Sequence, residues 1–395
     1  MKLYYEQKKR SFGLLETNEL LTWGNNQLPL PSLNREDALF SVQMKKQQKR
    51  IGPIVGFLTS AHKTKSFVGN RDTFIRIHKQ LQQTGGLIIV FTPFGIQHDQ
   101  IDGYVYNSNE EKWVRATTPL PNMIYNRVAT VKQEQHEQMR KTFQWIKEKQ
   151  IPMFNPHFFN KWETYRLFAN NPNIKQHVPQ TIKITDKARF EHFIQTNQTT
   201  YLKPIYGNKG SGIMLLQLNL DETITLRTNQ FQRKLKSLQQ TWEKLSPLFK
   251  KNDFILQQAI SLPTYQNRPY DFRVHVQFHS NQWHLTGIGI RCAGTESITT
   301  HVPQGGQILS LSQIDSTLDK AQVALIAKQV AGVLQHEYGN IGEFSMDIGQ
   351  DKQGHYWIFE VNAKPMIFDE PKIQQKGLQN LITLFYEQSL FLQEE

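Results

Sequence analysis

The stretch from residue 51 to residue 91 restricts the fold more than any other part of the sequence. Residues 51–58 and 87–91 are apolar runs of strand length. Between them, apolar residues recur at spacings of three and four, which places them on one face of a helix. These residues are Phe74, Ile77 and Leu81. A strand, a helix and a second strand in this order predict a parallel pair with a right-handed crossover, and therefore an α/β domain.

The periodicity of the remaining segments divides the chain further. Residues 1–50 are polar with short apolar patches, which predicts a small N-terminal extension with a few strands. A helix predicted over 131–149 belongs to the α/β domain, which spans 51–154. From residue 155 helices alternate with strands on short connections, so the predicted fold class is α/β followed by α+β. The helices predicted in this part cover residues 161–169, 231–249, 318–336 and 378–392.

Composition narrows the functional classes. Of the 395 residues 38% are hydrophobic, enough for several buried cores, and no apolar run reaches membrane-spanning length. One cysteine excludes an internal disulfide and the N-terminus lacks the apolar core of a signal peptide, so a cytoplasmic location is expected. The net charge of +12 attracts polyanions such as nucleotides, acidic polymers or nucleic acid. A solvated basic surface explains this charge equally well, and no nucleic-acid-binding motif accompanies it.

A glycine-rich segment at residues 201–213 is the first candidate binding site. A short strand carries Lys203, and a glycine-rich turn follows before a strand resumes at Ile213. Glycines let backbone N–H groups approach a phosphate closely, and the lysine adds a positive charge. The segment lacks the Lys-Ser or Lys-Thr pair of a Walker A loop, and an ordinary hairpin turn is the alternative. The candidate phosphate contacts are Lys203, Gly207, Lys209, Gly210, Ser211 and Gly212.

Two strand-like segments, 342–349 and 356–365, predict a hairpin that turns near residue 353. Glu360 and Asn362 are two residues apart and therefore share one strand face, with Asp347 roughly opposite Glu360. Two carboxylates and an amide oxygen are hard oxygen ligands of the kind that Mg²⁺ prefers. The alternative is a surface hairpin with its polar side chains outward, which does not predict an acid and an asparagine beside an acid of the neighbouring strand.

A third segment alternates charged and apolar residues. Asp271, Arg273 and His275 lie on one face of a predicted strand, and the strand after it carries Arg291. Arginine suits phosphate groups because its guanidinium fork matches two phosphate oxygens. A salt-bridged edge strand is the alternative.

The three segments, in this order, resemble the ATP-grasp superfamily. The resemblance implies a pre-ATP-grasp α/β domain over 51–154, a first ATP-grasp subdomain with the glycine-rich lid over 155–250, and a second with the metal site over 251–395. It implies ATP and Mg²⁺ as cofactors. The implied metal ligands are Asp347, Glu360 and Asn362. The implied nucleotide contacts are Lys161, Lys203, Asp271, Arg291 and a hinge of Gln257, Gln258, Ala259 and Ile260.

A narrower resemblance is to the YheC/YheD family of endospore coat-associated ATP-grasp proteins. It covers the chain from residue 51 onward and leaves residues 1–50 unexplained. Two positions depart from the expected pattern. His301 stands where the family resemblance leads us to expect asparagine, and Gln258 stands where many ATP-grasp enzymes carry glutamate. The segments that carry the resemblance are 119–127, 154–156, 201–212 and 360–365.

The resemblance implies a carboxylate–amine or carboxylate–thiol ligase that acts through an acyl-phosphate. Its partners would be a small-molecule or peptide carboxylate and an amine or thiol acceptor, without a membrane. The hypothesis for the carboxylate site is that it contains Arg273, Arg291 and Lys364. The first alternative is a non-catalytic ATP-binding component of the spore coat, in contact with other coat proteins. Nucleic-acid binding through the basic surface is a weaker alternative, and it predicts an affinity that falls steeply with salt and ignores ATP.

Overall fold

In a computed structural model of the protein, the described residues are 1–15, 19–62, 64–207, 211–314, 318–365 and 368–392. Residues 1–52 contain two small four-stranded sheets, in agreement with the few strands predicted for residues 1–50. Apolar side chains of these sheets, such as Phe12 and Trp23, share one core with Ile54 and Leu87 of the sheet that follows. This segment therefore packs directly on the α/β domain. Its strands are β1 (Lys2–Glu6), β2 (Ser11–Leu15), β3 (Thr22–Trp23), β4 (Leu28–Pro29), β5 (Ser32–Leu33), β6 (Ala38–Gln43), β7 (Lys45–Gln47) and β8 (Arg50–Gly52).

The next sheet has six strands, β9 (Ile54–Leu58), β10 (Leu87–Phe91), β11 (Gln100–Asn107), β12 (Lys112–Pro119), β13 (Met123–Asn126) and β14 (Met153–Phe154). Their order is β12-β11-β10-β9-β13-β14. The helices are α1 (Arg71–Thr84), α2 (Val131–Glu134) and α3 (Glu137–Glu148). The predicted parallel pair is confirmed, since β9 and β10 are parallel and α1 joins them.

Two predictions in this domain need correction. The strand predicted over 51–58 is divided between β8 and β9 because Pro53 has no N–H to donate to a sheet. The helix predicted over 131–149 is two helices. The chain leaves the helix at Gln135, and the His136 side chain accepts a hydrogen bond from the N–H of Gln138, which starts α3.

A second six-stranded sheet, here the small sheet, contains β15 (Thr181–Lys183), β16 (Thr199–Pro204), β17 (Met214–Leu218), β18 (Ile224–Arg227), β19 (Gln232–Leu235) and β20 (Phe254–Gln258). The strand order is β15-β20-β16-β17-β18-β19, and every neighbouring pair is antiparallel. Its helices are α4 (Lys161–Ala169), α5 (Lys187–Asn197) and α6 (Leu238–Phe249). The prediction of a helix over 161–169 is confirmed.

The helix predicted over 231–249 is wrong in its first part. Residues of β19 pair with β18, and α6 begins only after Ser237, whose hydroxyl accepts a hydrogen bond from the N–H of Gln240. A serine at this position supplies the acceptor that a helix start requires.

The last sheet, here the large sheet, contains β21 (Thr264–Tyr265), β22 (Arg268–His279), β23 (Gln282–Cys292), β24 (Gln307–Leu309), β25 (Glu343–Gln350) and β26 (Tyr356–Asn362). Its main path runs β24-β23-β22-β25-β26, with β21 paired to β22. Helix α7 (Lys320–Tyr338) buries Val323, Ile326 and Val330 in the core of this sheet, close to the predicted range of 318–336. Helix α8 (Pro371–Ser389) begins earlier than the predicted residue 378 because Pro371 fits the first turn of a helix.

Helix α8 joins the α/β domain to the large sheet. Its Phe385 is fully buried and contacts the rings of Phe57, Tyr125 and Phe154. The same helix packs on β22 and β23 of the large sheet. The α/β domain and the large sheet are therefore held by a shared core, which fixes the cleft between them. No helix in the described part of the chain is both long enough and apolar enough to span a membrane.

Candidate functional site

The site is centred on the hairpin of β25 and β26. The register pairs Asp347 with Glu360 and Ser345 with Asn362, so the predicted juxtaposition of the two carboxylates is confirmed. His301, from the loop after β23, lies beside them. One ligand atom from each of His301, Asp347 and Glu360 falls within 4.8 Å of the others. The hairpin and the loop that carries His301 thus bring two carboxylates and an imidazole to one place, and the Asn362 amide lies on the same hairpin.

Two cations neutralise the carboxylates of the hairpin. The Arg273 guanidinium forms two hydrogen bonds with Asp347, Nε to Oδ1 at 2.9 Å and Nη2 to Oδ2 at 3.1 Å. Burial acts to raise the pKa of Asp347, but Arg273 outweighs it and holds that pKa below its usual value. Lys161 Nζ donates to Glu360 Oε1 at 2.9 Å and to the Gly207 carbonyl at 2.8 Å. Lys161 therefore connects the hairpin to the start of the glycine-rich segment.

Lys203 lies on β16 and is almost fully buried. Its Nζ donates to Gln257 Oε1 at 2.5 Å on the neighbouring strand β20. Burial lowers the pKa of Lys203 to about 8, against the opposing effect of Glu360. Burial removes the water that stabilises the charge of the Lys203 ammonium. A bound anion would stabilise this charge instead, so the site favours anion binding.

Part of the glycine-rich segment is described. Gly207 faces the cleft, and Gly212 has a φ of +75°, a conformation that favours glycine. Ser211 lies in a turn before β17. The predicted contacts Lys209 and Gly210 lie outside the described residues.

The predicted hinge contains the last two residues of β20, Gln257 and Gln258, and the two residues that follow. The N–H groups of Gln258 and Ala259 donate to the carbonyls of Gln180 at 2.8 Å and Thr199 at 3.1 Å. Within the described part of the chain, no backbone hydrogen bond uses the N–H of Ile260. Ile260 therefore offers a backbone donor for the edge of an adenine ring, whereas those of Gln258 and Ala259 are engaged.

Asp271 and Arg291 lie opposite each other on β22 and β23. Burial raises the pKa of Asp271 to about 7, with a further contribution from Asp347, and the Thr300 hydroxyl donates to its Oδ2 at 2.7 Å. The Arg291 guanidinium is 4% exposed and pairs through both terminal nitrogens with Glu370, the residue that precedes α8. A ligand would have to compete with Glu370 for Arg291, and the predicted ligand contacts of Arg291 and Asp271 stay predictions.

Lys364 follows β26 and points away from solvent. Its Nζ donates to Glu134 Oε1 at 2.5 Å, Asn126 Oδ1 at 3.1 Å and the Val128 carbonyl at 3.2 Å. An ammonium group has three N–H donors, so all of them have protein acceptors. This geometry favours a role in joining the hairpin to the α/β domain over the predicted contact with a substrate.

A cleft of about 550 Å³ lies between the α/β domain and the hairpin. Sequence reasoning missed several of its lining residues on the α/β side, because loops from distant parts of the chain meet there. Arg127 was detectable, since it ends the segment 119–127 that carries the family resemblance. Residues that line the cleft include Asn70, Arg127, Thr130, Lys161, Gly207, Arg273, His301, Glu360, Asn362 and Lys364.

A small antiparallel sheet that carries Lys203, beside a larger sheet that carries a carboxylate hairpin, is the arrangement of the ATP-grasp fold. Solved structures have the same fold. D-alanyl-alanine synthetase A from Vibrio cholerae has a TM-score of 0.54 at 10% identity, over 86% of this chain and 99% of that chain. D-cycloserine synthetase DcsG has a TM-score of 0.51 at 11% identity, over 84% of this chain and 99% of that chain.

The chain belongs to the YheC/D-like ATP-grasp family, whose family model matches residues 150–392. It is 30% identical over 375 residues to the endospore coat-associated protein YheD of Bacillus subtilis, covering 88% of this chain and 80% of that protein. It is 24% identical over 308 residues to the endospore coat-associated protein YheC of the same organism, covering 74% of this chain and 85% of that protein. The predicted fold class and family are thereby confirmed.

Proposed function

We propose that the protein is a MgATP-dependent ligase that joins a carboxylate to an amine or a thiol. The observation that carries this proposal is the meeting of opposite charges beside the cleft. Lys161 and Lys203 lie at the small sheet, and Asp347 and Glu360 face them from the hairpin. Lysines suit the phosphates of a nucleotide, and acids on the opposite side suit the cation that accompanies it.

The donor set of the hairpin fits Mg²⁺. Asp347, Glu360 and Asn362 supply oxygen ligands from one face of two paired strands, and Mg²⁺ takes a few such ligands together with phosphate oxygens. When bound, the ion neutralises charge on the β- and γ-phosphates. Arg273 keeps Asp347 ionised and fixes its orientation, which makes Arg273 a positioning residue.

The reaction has two steps. A carboxylate oxygen of the substrate attacks the γ-phosphorus, the bond to the bridging oxygen breaks and ADP leaves. The amine or thiol then attacks the acyl carbon, inorganic phosphate leaves and the attacking group loses its proton. Phosphoryl transfer of this kind depends on positioning and charge neutralisation, so the chain needs no nucleophilic side chain of its own. The cleft, whose lining includes Gly207, would exclude the water that hydrolyses an acyl-phosphate.

A second candidate is a non-catalytic ATP-binding component of the spore coat. The names of both Bacillus subtilis relatives favour it, since each is described as endospore coat-associated. Arg291 and Lys364, two of the three residues predicted to face the substrate, are also engaged by Glu370 and Glu134. The two candidates share nucleotide binding and differ in turnover.

Thermal unfolding tests the nucleotide binding that both candidates share. At a hundred times its Kd, MgATP should stabilise the protein by about 2.7 kcal/mol, and EDTA should remove most of this effect. The Asp347→Asn, Glu360→Gln variant should lose the effect, because it keeps the shape of both side chains and removes their charge. An Asp99→Asn, Glu111→Gln variant is a matched control, since it removes two negative charges at exposed positions far from the hairpin.

Turnover then distinguishes the ligase from the coat component. ADP release that requires both a carboxylate and an amine or thiol supports the ligase. Magnesium-dependent binding without release, over a broad panel of acids and acceptors, would favour the coat component. An equal shift in the double variant and in the wild type would refute the assignment of the site.

A further inference from the structure

The predicted metal ligands Asp347, Glu360 and Asn362 all bind through oxygen. The structure places the imidazole of His301 beside two of them. Its imidazole reaches the same small volume as the carboxylates of Asp347 and Glu360, within 4.8 Å. The three residues come from three separate segments, the loop after β23 and the strands β25 and β26. Their meeting therefore depends on the tertiary fold and not on local sequence.

The backbone around His301 is held in place. Its carbonyl accepts hydrogen bonds from the N–H groups of Gln304 at 2.9 Å and Gly306 at 3.2 Å. The preceding Thr300 is tied to Asp271 through its hydroxyl at 2.7 Å. A Cβ atom at Gly306 would lie 2.3 Å from the Thr300 carbonyl oxygen, so the turn can close this tightly only with glycine. The imidazole is therefore presented to the hairpin by a constrained turn.

The imidazole has ligand capacity that the protein does not use. Within the described residues, neither ring nitrogen of His301 takes part in a hydrogen bond, although the ring borders the cleft. Asp347 is bound by Arg273 through both oxygens, but a carboxylate accepts about four hydrogen bonds or metal contacts. A nitrogen donor and two carboxylates thus lie within 4.8 Å of one another with ligand positions still free.

A nitrogen ligand changes which cation the site prefers. Mg²⁺ binds oxygen ligands and gains little from imidazole, whereas imidazole suits transition-metal ions. Mn²⁺ also accepts carboxylate and phosphate oxygens in the octahedral geometry that a nucleotide site provides. We propose that His301 is a ligand of the nucleotide metal ion and makes this site prefer Mn²⁺ over Mg²⁺. The proposal rests on the nucleotide site of the proposed function and concerns the identity of its ion.

Metal binding tests this without any measurement of turnover. A non-hydrolysable ATP analogue is titrated into the full chain with Mn²⁺ or with Mg²⁺, and the ratio of the two affinities is corrected for the preference of the free analogue. His301→Asn should lower the corrected Mn²⁺ preference by about tenfold or more, since even residues that only support metal ligands change affinity by that factor. His98→Asn, which removes an 88% exposed imidazole elsewhere, is the matched control and should leave the ratio unchanged.

Electron spin-echo spectroscopy of bound Mn²⁺ gives a direct second readout. Wild type and His98→Asn should show nitrogen coupling from a coordinated imidazole, and His301→Asn should lack it. The proposal is wrong if wild type shows no such coupling and the corrected Mn²⁺-to-Mg²⁺ affinity ratio is the same in wild type and His301→Asn. Nucleotide binding would still stand in that case. If the analogue binds with neither ion, the nucleotide site itself is refuted and this inference falls with it.

Discussion

Replacing Asn155 by alanine should lower the free energy of unfolding by about 4 kcal/mol. Asn155 is fully buried, where the α/β domain meets the hairpin. Its Nδ2 donates to the Ala363 carbonyl at 2.7 Å, and its Oδ1 accepts from the N–H groups of Gly342 at 3.1 Å and Glu343 at 3.4 Å. Each buried backbone group left unpaired costs about 1–3 kcal/mol, and the first two bonds have good geometry.

The backbone at Asn155 adds to this cost. Its φ is +57°, a left-handed conformation that asparagine tolerates and that costs alanine about 1 kcal/mol. Asn155→Gly removes the same hydrogen bonds without this strain, so it should be less destabilising than Asn155→Ala by about that amount. Asn281→Ala is the matched control, because Asn281 has the same φ but is exposed in the turn between β22 and β23.

Chemical denaturation followed by tryptophan fluorescence measures these differences. A shift in midpoint at constant slope reports a change in stability. If Asn155→Ala costs no more than Asn281→Ala, the buried hydrogen bonds contribute nothing beyond the backbone term and the reasoning is refuted. Because Asn155 braces both strands of the hairpin, the folded fraction of Asn155→Ala should also bind nucleotide more weakly than wild type.

Three further predictions concern buried groups. Burial, with a smaller effect of Lys79, lowers the pKa of His78 to about 4. Between pH 6.5 and pH 4 the unfolded chain therefore binds more protons than the folded protein. The free energy of unfolding falls as the pH falls through this range. His78→Phe should remove about 3 kcal/mol of this loss at pH 4. If stability depends on pH as steeply in His78→Phe as in wild type, His78 is not the source of the loss. In Gly289→Ala, the new Cβ would lie 2.2 Å from Glu370 Oε1 and 2.7 Å from Arg291 Nη1, so both side chains must shift and their pairing is disturbed. The free energy of unfolding should fall by about 2–3 kcal/mol. The control Gly332→Ala in α7, where a Cβ meets nothing within 4 Å, should be neutral or stabilising. Lys203→Met should leave the ligand-free protein at least as stable as wild type. It should weaken MgATP binding, measured by titration, by about tenfold or more. Unchanged binding would exclude Lys203 from the phosphate site.

The hairpin could be predicted because its information is local. Alternation places Glu360 and Asn362 on one face. The turn that ends at Gly354 sets the register beside it, with Ile348 opposite Ile358, and a shift of register between Ile348 and Asp347 then brings Asp347 opposite Glu360. The glycine has a φ of +85°, the conformation for which a turn selects glycine. The sequence around the hairpin therefore predicts the shared face of Glu360 and Asn362, whereas the register shift that sets Asp347 opposite Glu360 is seen only in the structure.

The partners of the buried cations could not be predicted, because they come from remote elements. Lys364 is bound by Glu134, which lies 230 residues earlier, and Arg291 by Glu370, 79 residues later. Nothing in the alternation of the large sheet indicates that these charges are already neutralised. For the same reason His301 stood out in the sequence only as a departure from a pattern, and its place at the carboxylates needed the fold.

Helix α8 has a consequence for how the protein is made. Its Tyr386 hydroxyl lies 2.8 Å from the Thr84 carbonyl oxygen, across 302 residues of sequence. At about 5–20 residues per second, a ribosome needs roughly 15–60 s to synthesise that interval. Throughout this time the surface of the α/β sheet that Phe385 later covers is uncovered on the nascent chain, and so is open to chaperones. The core of the α/β domain and the walls of the cleft are thus completed together, once α8 has been synthesised and packs on them.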